Sequence, residues 1–164
     1  VSIDAPARTA ATGRRWATEI PVRDDIRALA RFPATDYADT FEAEASTGPR
    51  TAEQWAREIL EGAPVGMRTF LIRTCPVLGV RLGPLYSAGY VLGWRIVKNT
   101  PEFVVLQARS GVGVTVRLVI QAGASSVQFG TFVRCEGLLA RAAWFGIAPI
   151  HRLVVSRLLG EATR

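Results

Sequence analysis

Two cysteines, one histidine and one lysine are all that this 164-residue chain contains of those residue types, and each scarcity closes a class of function. Cys75 and Cys135 cannot make a disulfide framework. With His151 as the single histidine they also fall short of an ordinary structural zinc site. Apart from Lys98 the basic residues are all arginine, spaced singly at Arg68, Arg73, Arg81, Arg95, Arg109, Arg117, Arg134 and Arg141. No run of five or more exists, so nucleic-acid binding is not expected. No window of ~20 apolar residues is free of charge, and a transmembrane segment is not expected. The best candidate, 138–159, contains Arg141, His151, Arg152 and Arg157. Residues 1–15 lack the apolar core of a secretory signal. A cytoplasmic protein with reduced thiols is the expectation. Gly111-Val112-Gly113 precedes a strand pattern instead of opening a helix, so it is no dinucleotide fingerprint and no cofactor is expected.

What the chain does have is globular composition, with 49% hydrophobic and 21% charged residues. Residues 1–20 read as a poorly ordered lead and 21–164 as a single domain. The net charge of +6 is uneven: +2 over residues 1–35, −5 over 36–61 and +9 over 62–164. The basic part could attract an acidic partner or anionic lipid, which keeps peripheral membrane contact open.

Residues 21–30 read as a short helical turn started by Asp24 and Asp25. In 36–45, Tyr37, Asp39, Phe41 and Ala43 share one parity, which predicts a first strand with one aromatic face. Thr51 followed by Gln54 forms a capping-box pattern, and Trp55, Ile59 and Leu60 then make a helical stripe that Gly62 stops. A second helix over 65–75 lies between Pro64 and Pro76. Residues 76–93, with two prolines and four glycines, read as a loop. From Tyr90 the period becomes two. Tyr90, Leu92, Trp94 and Ile96 are expected to share one face of a strand, and further strands follow over 103–109, 112–121 and 127–135. Val114, Val116, Leu118 and Ile120 share one parity, as do Val127, Phe129, Thr131 and Val133, and the pattern leaves open which parity faces the cavity. Tight turns make these an antiparallel meander. Residues 137–159 close the chain as a helix with a stripe of Leu138, Leu139, Ala142, Phe145, Leu153, Val154 and Leu158. Pro149 is expected to kink or split it.

This order predicts an α+β fold: a curved antiparallel sheet, its helices on one face, two short helices after the first strand, and a long C-terminal helix. The sequence resembles the helix-grip fold of the START-like (SRPBCC) superfamily, which includes birch-pollen-allergen-like carriers, polyketide cyclase-like proteins and lipid-transfer domains. More narrowly it resembles an uncharacterised bacterial family within that group. The residues that carry the narrower likeness are Asp36-Tyr37-Ala38-Asp39 with Phe41, Thr51-x-x-x-Trp55-Ala56, Gly93-Trp94, and Pro149-x-His151-Arg152 with Arg157-x-Leu159. It spans roughly 33–160. The resemblance implies a hydrophobic cavity between the sheet and the C-terminal helix.

His151 is the one group whose ordinary pKa lies near neutrality. It reads either as a proton donor to a bound carbonyl or phenol, or as a packing histidine beside Arg152. Asp36 and Asp39 have opposite parity and should not face one another; strand-start hydrogen bonding and ion pairing with the basic sheet are their expected roles. The isolated cysteines read as small buried apolar residues. The aromatic residues suit either a packed core or a cavity lining. The indole N–H groups of Trp94 and Trp144 need partners, which would suit an amphipathic ligand carrying an oxygen. The expected lining is Tyr90, Trp94, Val116, Leu118, Phe129, Trp144, Phe145 and His151. Residues 65–85 are expected to form the second helix and a lid whose arginines reach water. The first function expected is binding or carrying a hydrophobic small molecule (a lipid, polyketide or ring-bearing metabolite) as a monomer or homodimer. The alternatives are a cyclase or dehydratase using His151 as general acid, and a protein–protein interaction module.

Overall fold

The computed structural model describes residues 16–45, 48–77 and 79–164. Its elements in chain order are β1 (Thr18–Glu19), α1 (Asp24–Ala30), β2 (Tyr37–Glu44), α2 (Ala52–Leu60), α3 (Val65–Val77) and β3 (Val80–Arg81). They continue with β4 (Tyr90–Val91), β5 (Trp94–Asn99), β6 (Phe103–Ser110), β7 (Val114–Ala122), β8 (Ser126–Cys135) and α4 (Leu138–Ala162). The fold is α+β. Eight antiparallel strands form one curved sheet in the order β1-β2-β8-β7-β6-β5-β4, and β3 extends the β5 side of β6. Of the expected lead, residues 1–15 lie outside the described residues, and Thr18–Glu19 pairs with Glu42 and Phe41 at the sheet edge.

Alternation in the long strands sorts side chains between two cores. Val114, Val116, Leu118 and Ile120 of β7 join Val127, Phe129 and Val133 of β8 in the larger one, as their parity predicts. Both α2 and α4 cover this face, α2 over β6 and β7 and α4 over β2 and β8. The opposite parity, Val105, Val119 and Phe132, packs against Ile26 and Ala30 of α1. The helices are therefore not all on one face, a correction to the sequence reading. Two features bring α1 there. Gly130 gives Ile26 room, since a Cβ at that position would lie 3.1 Å from the Ile26 Cδ1. Arg117 of β7 donates to the Ala30 and Arg31 carbonyls at 2.6 and 3.0 Å, satisfying the end of α1.

The capping box of α2 is present in both directions: Gln54 N–H donates to Thr51 Oγ1 at 3.3 Å, and Thr51 N–H donates to Gln54 Oε1 at 2.9 Å. Arg57 bridges Glu53 and Glu61 at 2.7 and 3.2 Å, and Glu61 accepts from the Leu92 N–H at 3.0 Å. That chain of contacts ties α2 to the segment expected as a loop. Residues 76–93 are in fact partly regular: α3 runs on through Pro76, and β3 and β4 follow. Tyr90–Ile96 is not one strand. Leu92 (φ 46°) and Gly93 (φ 81°) make a two-residue turn between β4 and β5 with both φ positive, so the chain reverses there.

The closing helix also departs from expectation. Pro149 neither splits nor ends it; α4 is helical over all 25 residues. Pro149 faces outward, where water can reach the carbonyl that loses its donor. The buried line is Ala140, Trp144, Ala148, Val155, Leu158 and Leu159. Leu138, Leu139, Phe145 and Leu153, expected inside, stand exposed. The inner line mixes small and large residues: Ala140 and Ala148 flank Trp144, and Val155, Leu158 and Leu159 follow, while Ala142 and Ala143 are exposed.

Candidate functional site

On the larger core's face, β2 presents Tyr37, Asp39 and Phe41, and their cross-strand partners on β8 are Val133, Thr131 and Phe129. Above them runs the buried line of α4, where Trp144 and His151 are seven residues apart and so on one side of the helix. The result is a polar cluster in an apolar layer. Tyr37 Oη donates to Asp39 Oδ2 at 2.6 Å. His151 Nε2 lies 2.9 Å from Thr131 Oγ1 and 3.8 Å from Asp39 Oδ2. The Trp144 ring sits edge-on to Tyr37 with centroids 5.4 Å apart, and its centroid is 5.3 Å from that of His151.

Burial shapes the charges here. Asp39 is 3% exposed and Trp144 7%, while the His151 side chain keeps 17%. Burial holds the His151 pKa below its usual value, partly opposed by the Asp39 carboxylate, so the imidazole is neutral at pH 7. Burial first, and then donation to Asp39, raises the Tyr37 pKa far above that of a free phenol. Among the described residues three buried side-chain polar atoms have no hydrogen-bond partner: Asp39 Oδ1 and Trp144 Nε1 on this face, and Thr40 Oγ1, which has the opposite parity on β2. Most buried polar groups in folded proteins are satisfied, so each of these atoms is an exception. Around the rim, Arg152 pairs with Glu19, and Arg141 pairs with Asp36 at 2.7 Å. Asp36 also accepts the Cys135 N–H at 2.8 Å, so it holds the end of β8 while Asp39 enters the core.

Of the expected lining residues, Val116, Leu118, Phe129 and Trp144 come together in the larger core, with His151 beside Trp144 and Trp94 packed half-buried against the same cluster. Tyr90 is not among them. It pairs with Arg95, whereas Trp94 pairs with Val91, so the turn sends Tyr90 to the other side, where its ring covers Gly83. Phe145 is 57% exposed on the far side of α4. Sequence reasoning missed Tyr37, Asp39 and Thr131 as partners of His151. The signal was available, because an acid sharing parity with Tyr37 and Phe41 must enter the core.

A cleft of about 360 Å³ lies between the C-terminal ends of α2 and α4, lined by Glu58, Ile59, Gly62, Ala63, Pro64, Leu158, Glu161, Ala162 and Arg164. None of the expected lining residues borders it. Burial raises both thiol pKa values, that of Cys75 to about 11, which leaves them poor nucleophiles at neutral pH. Among the described residues no group of three or more His, Cys, Asp or Glu side chains is placed to hold a metal ion. α4 has the length and apolar composition of a membrane span and is mostly exposed, while Ala140, Trp144, Ala148, Val155, Leu158 and Leu159 pack on the sheet.

Fold and site together define an α+β domain in which a long C-terminal helix closes one face of the sheet over a buried polar cluster. The chain belongs to the family described as "Protein of unknown function (DUF2867)", whose model matches residues 31–158. All five residues of the cluster fall within that match, whereas β1 and α1 precede it. No curated protein and no solved structure matches the chain.

Proposed function

We propose that this protein binds an apolar small molecule with an oxygen-bearing end, in the layer between the sheet and α4, as a member of the START-like group its sequence resembles. A lipid, polyketide or ring-bearing metabolite fits that description. The observation that carries the reading is the pair of unpartnered buried atoms, Asp39 Oδ1 and Trp144 Nε1, in a layer otherwise built from Val116, Leu118, Phe129 and Val133. Apolar walls with a few convergent polar groups are the usual make-up of a small-molecule site. The neutral fluorophore 1-aminoanthracene tests this: saturable enhancement at one site is expected, abolished in Leu118→Trp with the circular dichroism unchanged. Absence of enhancement in the wild type overturns the reading. Extraction of the protein purified from its native host, followed by mass spectrometry, would identify the natural occupant.

The placement of His151 favours a second reading, proton transfer on the bound molecule in the manner of a cyclase or dehydratase. Thr131 Oγ1, 2.9 Å from Nε2, would orient the ring, and Asp39, 3.8 Å from Nε2, supplies a nearby negative charge. A neutral imidazole would act first as acceptor and then return the proton. His151→Gln would abolish turnover and leave ligand affinity nearly unchanged; loss of both would make His151 a structural residue.

A further inference from the structure

Arginines that stand singly in the sequence come together on the outer face of the sheet. Val105, Val119 and Phe132 lie under α1 on this face. The same parity continues past the end of that helix as Gln107 and Arg109, Thr115 and Arg117, and Arg134. The register adds Arg95 of β5 opposite Gln107 and Arg81 of β3 opposite Arg109. One row across the strands therefore reads Arg81, Arg109, Thr115, Arg134, and the next reads Arg95, Gln107, Arg117. With strands about 4.8 Å apart and alternate residues about 6.8 Å apart, the array covers roughly 14 by 7 Å at the backbone.

Arg117 is held within the fold, by Gln107 Oε1 and the two carbonyls that end α1. Burial, and then the like charge of Arg109, lower its pKa. Arg81, Arg95, Arg109 and Arg134 are exposed, and none of the four has a carboxylate partner among the described residues. Of the acids at this end of β8, Asp36 is already held by Arg141 and the Cys135 N–H, and Glu136 sets one negative charge against these four positive ones. Like charges directly opposite, as at Arg81 and Arg109, destabilise a sheet, and an anionic partner relieves that repulsion.

We propose that this face docks on a membrane surface of anionic phospholipid. A bilayer presents its phosphates in two dimensions, as the guanidinium groups are arranged here, and a planar guanidinium binds phosphate through paired N–H bonds. Exposed apolar side chains border the array: Val112 in the β6–β7 turn beside the Arg109–Thr115 pair, and Leu85 and Tyr86 in the segment between β3 and β4. Such side chains enter the head-group region once the arginines bring the surface near. Nucleic acid fits less well, because single strands are held by bases stacked on exposed aromatic rings among basic groups. The ring that adjoins these rows, Tyr90 opposite Arg95, is half-buried over Gly83. The docking face is independent of the ligand site proposed above, which lies on the other side of the sheet.

Cosedimentation with vesicles of equal parts phosphatidylglycerol and phosphatidylcholine tests this, against vesicles of phosphatidylcholine alone. The wild type is expected to prefer the anionic vesicles by at least about tenfold, a preference that falls as salt rises. Arg109→Gln with Arg134→Gln should weaken that binding about thirtyfold with the circular dichroism unchanged. Arg81→Gln with Arg95→Gln gives the same test on other strands if the first variant fails to fold. Phe145→Ala with Leu153→Ala, on the exposed side of α4, should leave binding within about twofold. Loss in the α4 variant and none in the arginine variants would move the contact to α4 and overturn the proposal, as would equal binding, or none, to the two kinds of vesicle. Labelled single- and double-stranded oligonucleotides are the competing partner. Tighter binding to either than to the anionic vesicles, per phosphate, would make the array a nucleic-acid site and overturn the membrane assignment.

Discussion

A carboxylate in an apolar layer must be held, and Asp39 is held on one side only, by the Tyr37 hydroxyl. Beyond Tyr37 the next titratable neighbour is His151, 3.8 Å away, with Arg152 and Glu19 paired at the rim. Because burial keeps His151 neutral, the unfolded chain takes up a proton there more readily than the folded one. Stability then rises with pH wherever the unfolded state binds more protons. The contribution is present above the ordinary value of 6.5 and is lost as the pH falls from there towards the lower folded pKa. Urea denaturation at pH 7.5 and 5.5 should accordingly show the wild type less stable at the lower pH. In His151→Gln, which can keep the bond to Thr131 without titrating, that difference should shrink. An equal pH dependence in both proteins would show that His151 is not neutralised by its surroundings. His151 was legible in the sequence as the one neutral-range group, and its partner was not, because the distance from Asp39 to His151 depends on how α4 crosses β2. Residue parity grouped Asp39 with Tyr37 and Phe41; it could not say which face they took or place the helix over it.

Helices in this domain are secured by different means, and substitutions should sort accordingly. α2 starts on a reciprocal cap, so Thr51→Ala should cost about 1 kcal/mol in urea denaturation. That cap was readable because it depends on residues three apart. α4 has no side-chain cap at Gly137 and is held by its inner line. Trp144→Ala should therefore cost about 3–5 kcal/mol, whereas Phe145→Ala, one residue on and 57% exposed, should change stability by less than about 0.5 kcal/mol. Comparable losses at both positions would mean that the outer face of α4 is covered by something in solution. The sequence reading placed Val154 and Leu158 of α4 on the inner side and misplaced Leu138, Leu139, Ala142, Phe145 and Leu153, because nearly every face of the helix is apolar. Periodicity then loses its power to orient, and size misleads when alanine does the packing. Strands were easier, since β7 and β8 alternate over most of their length, with Val119 and Phe132 filling the second face. The exception was 90–96, where two positive-φ residues reversed the chain inside an apparently continuous alternation.

At the scale of the whole molecule the sheet divides the apolar interior into two clusters that share strands and no side chains. The larger is closed by α2 and α4 and contains the polar cluster; the smaller is closed by α1 alone. Their separation follows from the pleat, which sends neighbouring residues such as Leu118 and Val119 to opposite faces. A single antiparallel sheet with both faces buried needs cover on each, and α1 supplies the second cover from a segment ahead of the family match. Ile26 and Ile59 are fully buried on opposite sides, Ile26 in α1 and Ile59 in α2. Ile26→Ala and Ile59→Ala should each cost about 2–5 kcal/mol. With no shared contacts across the sheet, the double variant should lose the sum to within about 0.5 kcal/mol. A shortfall beyond that would mean that removing one layer already loosens the other. In that case the sheet would transmit strain between its faces, and opening α4 for a ligand would be felt at α1, which hydrogen exchange at the α1 amides would detect when a ligand is added.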